Sequence, residues 1–270
     1  MTDLKQKANE LRKAVIQSLT QAGSGHTGGS LSAIDILTIL YYQEMDITLN
    51  NYDQNDRDHF ILSKGHAAPA LYTVLADKGF FPKDDLTDLR KLGCHLQGHP
   101  DRIKTRGVDS SSGSLGQGLS IANGLALAKR LDSIEKNTYV LLGDGELQEG
   151  QVWEAAMTAA HYKLDRVIAF IDNNGLQIDG TNDEVMAVQS IDEKFAAFNW
   201  HVIQADGHDF TSLTHAITTA KRFTDGPSVI VCQTVKGKGI SFMENQVGWH
   251  GKAPSPTEAE KALAELKEVF

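Results

Sequence analysis

The sequence is poor in cysteine and aromatic residues and has no long apolar run. Only two of its 270 residues are cysteine, and neither Cys94 nor Cys232 lies in a C-x-x-C or other metal-ligand spacing. We interpret both as reduced, buried thiols of a cytosolic protein. No segment approaches the roughly 20 apolar residues of a membrane span, and residues 1–12 lack the apolar core of a signal peptide. The sequence therefore predicts a soluble cytoplasmic protein that does not enter a membrane.

The chain also lacks an excess of basic residues. Its 26 lysines and arginines are outnumbered by 35 aspartates and glutamates, which gives a formal net charge of −9. This balance disfavours nucleic acid as a partner, because phosphate backbones are bound by clustered Lys and Arg. A small phosphorylated ligand remains compatible with it where local groups and a metal ion supply positive charge.

Apolar runs typical of strands alternate with segments of helical spacing. The pattern predicts one α/β domain over residues 1–270, with a mainly parallel sheet covered by helices on both faces. From about residue 250 we expect a loop and a short helix. Ligands of such sheets bind at the carboxyl ends of the strands. The predicted helices are 4–21, 30–43, a segment after Pro69, 116–131, 151–162 and 211–222, and the predicted strands are 60–62, 139–142, 167–171, 201–203 and 228–231.

Two short polar motifs each follow a predicted strand. They are Gly143-Asp144-Gly145 and Asp172-Asn173-Asn174. Because parallel strands end at one edge of a sheet, we expect Asp144 and Asn174 to lie close together there. Carboxylate, amide and backbone carbonyl oxygens are hard ligands that suit Mg²⁺ or Ca²⁺ and leave room for diphosphate oxygens. A helix beginning near Glu149 would direct backbone N–H groups toward that anion.

This pair of motifs resembles the metal-and-diphosphate signature of thiamine diphosphate enzymes. The chain as a whole resembles the N-terminal half of transketolase, and the likeness covers nearly all of it. Its further motifs are Gly25-His26-Thr27-Gly28-Gly29, Ser63-Lys64-Gly65-His66, Gly98-His99-Pro100, Ser112-Gly113-Ser114-Leu115-Gly116-Gln117-Gly118 and Trp249-His250-Gly251. Thr27 and Ser114 depart from the family pattern, which usually has proline at both positions. Proline would change local stiffness but supplies no ligand.

The resemblance implies the thiamine diphosphate-binding fold and a role for individual residues. The side chains of Asp144 and Asn174 and the carbonyl of Leu176 would bind the metal, expected to be Mg²⁺ with Ca²⁺ or Mn²⁺ as alternatives. Catalytic roles in the substrate channel fall to His26, His99 and His250. The residues expected to contact the cofactor are His66, Gly113, Ser114, Leu115, Gly145, Glu149, Asn174 and His250.

The same resemblance implies an enzyme that transfers a two-carbon ketol group from a ketose phosphate to an aldose phosphate, as in the pentose phosphate pathway. The cofactor acts as the electron sink. Several histidines around one reactive carbon suit this reaction because imidazole exchanges protons near neutral pH. The other six histidines, including His208, are interpreted as structural.

In this family a glutamate on a second, pyrimidine-binding domain activates the cofactor, and Glu149 takes part in a carboxylate contact between subunits. The sequence ends at Phe270 without a candidate for that second domain. We therefore expect the N-terminal subunit of a split transketolase. Its partner would be a C-terminal subunit that carries the pyrimidine-binding domain, in an α2β2 heterotetramer.

Three alternatives remain open at this stage. One is another thiamine diphosphate enzyme subunit, similar to 1-deoxyxylulose-5-phosphate synthase or to the E1 α subunit of a 2-oxo acid dehydrogenase. His26, His66, His99 and His250 favour transketolase over E1. A second is a split transketolase specific for an unusual sugar. A third is a non-catalytic regulatory module that binds the cofactor, against which the intact metal and histidine motifs argue.

Overall fold

Five parallel strands form one sheet at the centre of the structure, a computed structural model that describes residues 3–268. Their order is β1-β2-β3-β5-β4, and each neighbouring pair is parallel. The predicted parallel sheet is therefore confirmed. The strands are β1 (His59–Leu62), β2 (Thr138–Gly143), β3 (Val167–Asn173), β4 (His201–Asp206) and β5 (Ser228–Gln233).

Helices cover both faces of this sheet, as the sequence predicts. Along each strand alternate side chains enter opposite apolar clusters, so that Tyr139 and Leu141 face one layer of helices and Val140 and Leu142 face the other. The helices are α1 (Leu4–Ala22), α2 (Thr27–Ile39), α3 (Ala68–Asp77), α4 (Gln117–Leu131), α5 (Gly150–His161), α6 (Asn182–Val185), α7 (Ile191–Ala197), α8 (Phe210–Arg222) and α9 (Pro256–Glu268).

The strand order decides which helix lies on which face. From β1 through β4 the chain advances across the sheet in one direction, and α4, α5 and α7 pack on one face. Between β4 and β5 it steps backwards, and α8 packs on the opposite face with α1, α2, α3 and α9. Right-handed crossovers require this change of face when the direction of travel reverses. All strands consequently direct the loops that follow them to one edge.

Helix α2 differs most from the sequence prediction. It begins at Thr27 rather than Ser30, and it ends in a π-helical turn, Leu40–Glu44. The glycines after Thr27 have low helix propensity, but packing requires them there: a Cβ on Gly28 would lie 2.9 Å from Lys236 Cγ and 3.0 Å from the Trp249 carbonyl oxygen. Every residue of α2 is buried, and its polar side chains find partners inside, as in the ion pair of Asp35 with Arg12.

Two short helices between β3 and β4 were not predicted. Helix α6 begins with a capping box, in which the Thr181 hydroxyl accepts from the Glu184 N–H and the Glu184 carboxylate accepts from the Thr181 N–H. Helix α7 buries Ile191 and Phe195 under the sheet. Both are too short for their apolar spacing to be distinguished from a loop. The expected C-terminal helix is present as α9, and it packs against α1 through Ala262 and Leu266.

No helix within residues 3–268 combines the length and the apolar character that crossing a bilayer requires.

Candidate active site

A cavity of about 370 Å³ opens at the carboxyl edge of the sheet. It collects the loops after β1, β2, β3 and β5 together with the start of α2. Ser114 is exposed and is the one predicted site residue outside the cavity wall in the described structure. The predicted site residues that line it are His26, His66, His99, Gly113, Leu115, Asp144, Gly145, Glu149, Asn174, Leu176 and His250.

Asp144 is a buried carboxylate at the end of β2. Its oxygens accept hydrogen bonds from the N–H of Gly145 at 2.8 Å and of Gly175 at 2.5 Å. Burial and then the negative charge of Asp172 raise the pKa of its carboxyl group. Within residues 3–268 no basic side chain forms an ion pair with it. A bound cation would offset the cost of keeping this charge buried.

Asn174 and Leu176 lie in the loop after β3, beside Asp144. The Asn174 side-chain oxygen accepts from the Leu176 N–H at 3.1 Å, and the Leu176 carbonyl accepts from Lys236 Nζ at 3.0 Å. A carbonyl oxygen has two lone pairs, so Leu176 can accept this hydrogen bond and still bind a metal. The described residues contain no cluster of three or more His, Cys, Asp or Glu that could hold a metal. The Asp144 carboxylate, the Asn174 side-chain oxygen and the Leu176 carbonyl are hard donors, and they would fit a metal that takes its remaining oxygens from a ligand.

Asp172, the last residue but one of β3, connects the segments around this part of the site. It is fully buried and accepts hydrogen bonds from Lys64, Ser32 and Thr234, which belong to three different segments. Burial opposes its ionisation, but the Lys64 ammonium and these hydrogen bonds hold its pKa below the usual range. Asp172 is thus an anchor that joins α2, the β1 loop and the β5 loop around the cavity.

Glu146 shapes the wall on the other side. Its carboxylate is buried and accepts from the N–H of Gly116 and of Gly143, both at 2.9 Å, and from the Ser63 hydroxyl. These contacts tie the 3₁₀ turn after β2 to the glycine-rich loop before α4. The hydrogen bonds fix the backbone of two loops whose glycines leave the cavity open.

Four histidine rings meet inside the cavity. His26 lies 5.3 Å from His66, 6.1 Å from His99 and 5.6 Å from His250, measured between ring centroids. His66 and His250 stack at 5.2 Å. The Nδ1 atom of His26 is buried without a hydrogen-bond partner among the described residues. A buried polar atom of this kind is suited to a ligand hydroxyl or carbonyl, because leaving it unpaired is costly.

The surroundings of the four rings favour their neutral form. Burial, and then the charge of Arg90, lowers the pKa of His26 to about 4. Burial, and then the charge of Lys236, lowers the pKa of His250 to about 3. Burial is also the main cause of the lowered pKa values of His66 and His99. A neutral imidazole has one unprotonated ring nitrogen, which can accept a hydrogen bond from a substrate hydroxyl.

These lowered pKa values make stability depend on pH. An unfolded histidine titrates near pH 6.5, so between that value and the folded pKa the unfolded state binds more protons and stability rises with pH. We expect the free energy of unfolding in urea to fall between pH 7 and pH 5, and to fall less in a His26→Asn/His250→Asn double variant. Exposed His161→Asn is the control. If the free energy of unfolding falls equally with pH in the wild type and the double variant, the lowered pKa values of His26 and His250 are contradicted.

Sequence reasoning missed three charged residues that line or build the site. Lys236 is buried and contacts both Leu176 and His250, the latter through a 2.8 Å contact between Nζ and Nδ1. Lys64 belongs to one of the motifs but had no predicted role, although a lysine at the end of a buried strand is unusual. Glu146 has the same position after β2. A charged residue next to a buried strand was the available signal in each case.

Comparison with known proteins identifies the family of the chain. Residues 4–268 match the family model described as transketolase, thiamine diphosphate binding domain. The 6-deoxy-6-sulfo-D-fructose transketolase subunit SqwG from Clostridium sp. (strain MSTE9) is 43% identical over 265 residues, which cover 98% of this chain and 96% of that protein. One of the apulose-4-phosphate transketolase subunits, from Phocaeicola vulgatus, is 37% identical, with coverage of 98% and 94%.

Solved structures show the same fold. Transketolase from Leishmania mexicana superposes with a TM-score of 0.92 at 30% sequence identity. The match covers 99% of this chain but 42% of that protein, so the chain spans less than half of the solved transketolase. The predicted fold, family and enzyme class are confirmed. The chain therefore belongs to the transketolase family and corresponds to its thiamine diphosphate-binding domain.

Proposed function

We propose that this chain is the thiamine diphosphate-binding subunit of a transketolase whose remaining domains lie on a second polypeptide. The observation that carries the proposal is the cavity itself, which is lined both by the buried Asp144 carboxylate, without an ion-pair partner in residues 3–268, and by four histidines. The relatives named as transketolase subunits support the division into two chains, because they are matched over 94–96% of their own length.

The metal and the diphosphate would bind at the ends of β2 and β3. We assign Asp144, Asn174 and the Leu176 carbonyl as metal ligands and Mg²⁺ as the metal, since hard oxygen donors with room for diphosphate oxygens suit it. Lys236 would offset the negative charge of the diphosphate. Burial lowers its pKa to about 8, so it remains mainly protonated at neutral pH.

The contacts that we propose for the rest of the cofactor come from the cavity wall. His66, Gly113, Leu115, Gly145, Glu149 and His250 all line it. Gly113 has a backbone φ of +149° and lies against His99, and a Cβ there would be 3.2 Å from the His99 ring. We retain Ser114 as a backbone contact only, because its side chain is exposed.

Proton transfer would fall to the histidines. Bound thiamine diphosphate supplies the reactive carbon and the electron sink for cleaving and forming a carbon–carbon bond. His26 lines the cavity, its pKa is lowered to about 4, and we assign it to bind and deprotonate a substrate hydroxyl. His99 and His250, whose rings lie 6.1 Å and 5.6 Å from that of His26, would share this role.

The partner would close the open side of the cavity. Glu149 is exposed at the start of α5 and lines the cavity mouth, which suits a carboxylate contact with a second chain. We propose a C-terminal subunit with the pyrimidine-binding domain as that chain, in an α2β2 assembly.

The substrates are proposed as ketose and aldose phosphates, as in the pentose phosphate pathway. An unusual sugar is the second candidate, because relatives matched over their full length are named for a sulfonated fructose and for apulose 4-phosphate. A panel of xylulose 5-phosphate, 6-deoxy-6-sulfofructose and apulose 4-phosphate as donors would separate the two candidates by kcat/KM.

The two-chain proposal is tested by assaying the chain alone and with its co-purified partner. The assay contains thiamine diphosphate, Mg²⁺, a ketose donor and an aldose acceptor. We expect turnover only when both chains are present, because the activating carboxylate would come from the partner. Robust turnover by this chain alone would refute the division of the active site.

A further inference from the structure

His208 forms a buried connection between α2 and the loop that carries Lys236. Its Nδ1 lies 2.7 Å from the Asp35 carboxylate, and its Nε2 accepts from the N–H of Val235 at 2.8 Å. Asp35 is itself held by an ion pair with Arg12 of α1. The side chain of His208 is 12% exposed, and that of Asp35 is 4% exposed. The imidazole therefore joins two elements through contacts that are largely, though not fully, removed from water.

The two contacts determine the tautomer of this imidazole. A backbone N–H can only donate, so Nε2 must be unprotonated where it meets Val235. The proton of a neutral ring then lies on Nδ1 and is donated to Asp35. Burial opposes ionisation of Asp35, but the charge of Arg12 and the contact with His208 keep its pKa low, so it remains an acceptor. Asp35 thus fixes the ring so that Nε2 points at Val235.

Val235 immediately precedes Lys236, whose Nζ contacts the Leu176 carbonyl and His250 inside the cavity. The same loop is held at Thr234 by the Asn173 carbonyl at 3.2 Å and at Gly237 by the Gly28 carbonyl at 3.1 Å. The hydrogen bond to His208 holds the residue before Lys236, the Gly28 contact holds the residue after it, and the Lys236 carbonyl accepts from the Asn245 N–H at 2.9 Å. Without His208, the Val235 N–H would lose its partner and the loop could move.

We propose that His208, oriented by Asp35, is a positioning residue that sets the place of the Lys236 ammonium in the cofactor site. It touches neither the cavity nor its ligands and acts through the backbone of Val235. This inference rests on the proposed function for the role of Lys236, whereas the contact between His208 and the loop stands on the geometry alone.

Two substitutions test the contacts of the two ring nitrogens separately. In His208→Asn a donor can still reach Asp35, but the acceptor for Val235 is lost. In His208→Gln an acceptor oxygen takes the approximate place of Nε2 and can still meet Val235. His215→Asn, exposed on α8, is the matched control. Each variant is tested for amide hydrogen exchange of residues 234–239 in this chain without ligand, and for thiamine diphosphate affinity at fixed Mg²⁺ in the assembled enzyme.

For His208→Asn we expect exchange of residues 234–239 to become roughly tenfold faster and the Kd for thiamine diphosphate to rise roughly tenfold, the effect of losing one buried hydrogen bond. His208→Gln should stay within about threefold of the wild type in both measurements. Equal losses in the two variants, or an unchanged His208→Asn, would overturn the proposal. Should His208→Asn fail to fold, a loss of affinity in His208→Gln overturns it.

The two measurements keep this inference apart from the proposed function. If the wild-type assembly binds no thiamine diphosphate, the proposed function fails. The exchange comparison still decides whether His208 holds the loop, because it requires neither cofactor nor partner.

Discussion

Asp144→Asn is expected to weaken binding of thiamine diphosphate by at least about 100-fold in the assembled enzyme. Loss of a residue that only supports a metal ligand costs up to about 100-fold in metal affinity, and Asp144 is assigned as a ligand itself. The physical reason is charge. The Asp144 carboxylate is buried beside Asp172, and no basic side chain among residues 3–268 pairs with it. A neutral amide keeps the shape of this side chain but removes the negative charge that would attract Mg²⁺. The measurement is a calorimetric titration of thiamine diphosphate at fixed Mg²⁺ concentration.

The stability of the ligand-free variant separates this effect from misfolding. An elevated carboxyl pKa means that the charged form of Asp144 is disfavoured in the folded state. Replacing it with asparagine should therefore change the free energy of unfolding by less than about 1 kcal/mol, as one hydrogen bond is exchanged for relief of buried charge. Asp179→Asn, exposed in the neighbouring loop, is the matched control. Unchanged cofactor affinity in Asp144→Asn would show that the metal assignment is wrong.

Lys64→Met is expected to destabilise the ligand-free protein by about 3–5 kcal/mol, because it leaves the buried Asp172 carboxylate without its cation. Lys64 is 1% exposed and Asp172 is fully buried. The free energy of unfolding would be measured in urea without thiamine diphosphate. With its pKa held low, the Asp172 carboxylate contributes stability above its unfolded pKa, and that contribution disappears as the pH falls through the folded value.

A double variant tests whether the loss comes from an unpaired charge. Lys64→Met/Asp172→Asn removes both charges and should recover most of the stability, since replacing a buried pair costs far less than breaking it. Lys91→Met breaks the half-exposed pair with Asp88 and should cost less than about 1 kcal/mol. If Lys64→Met and the double variant are equally unstable, packing rather than charge is responsible.

The architecture could be predicted from the sequence because its signals are local. Buried parallel strands are continuous apolar runs, and the helices over them have apolar spacing of their own. The strands from Thr138 and Val167 could therefore be located, and the loops after them placed at one edge. The start of α2 could not be located in this way. Glycine is disfavoured in a helix, and Gly28 is required there only because it closely approaches Lys236 and Trp249.

The candidate site was predictable as far as its residues resemble known motifs. His26, His99 and His250 are far apart in the chain, and only the fold brings their rings within 6.1 Å of one another or of His66. Lys236 and Glu146 stand out locally as charged residues next to buried strands, but most of their partners are distant in sequence, so local spacing could not show their roles. The same holds for His208, which sequence reasoning placed among structural residues and the structure connects to the cavity loop.

The alternation of side chains along β2 has a consequence for how the chain can vary in length. Tyr139 and Val140 enter opposite layers, while Asp144 leaves the same strand at its carboxyl end. One residue inserted between Val140 and Asp144 would exchange the side chains that face each layer in the rest of the strand. It would also rotate Asp144 away from Asn174. Insertions at the amino edge, before Thr138, would leave both intact. The number of residues in β2 therefore fixes where Asp144 lies relative to the core. We expect insertions and deletions to be tolerated at the edge of the sheet opposite the cavity.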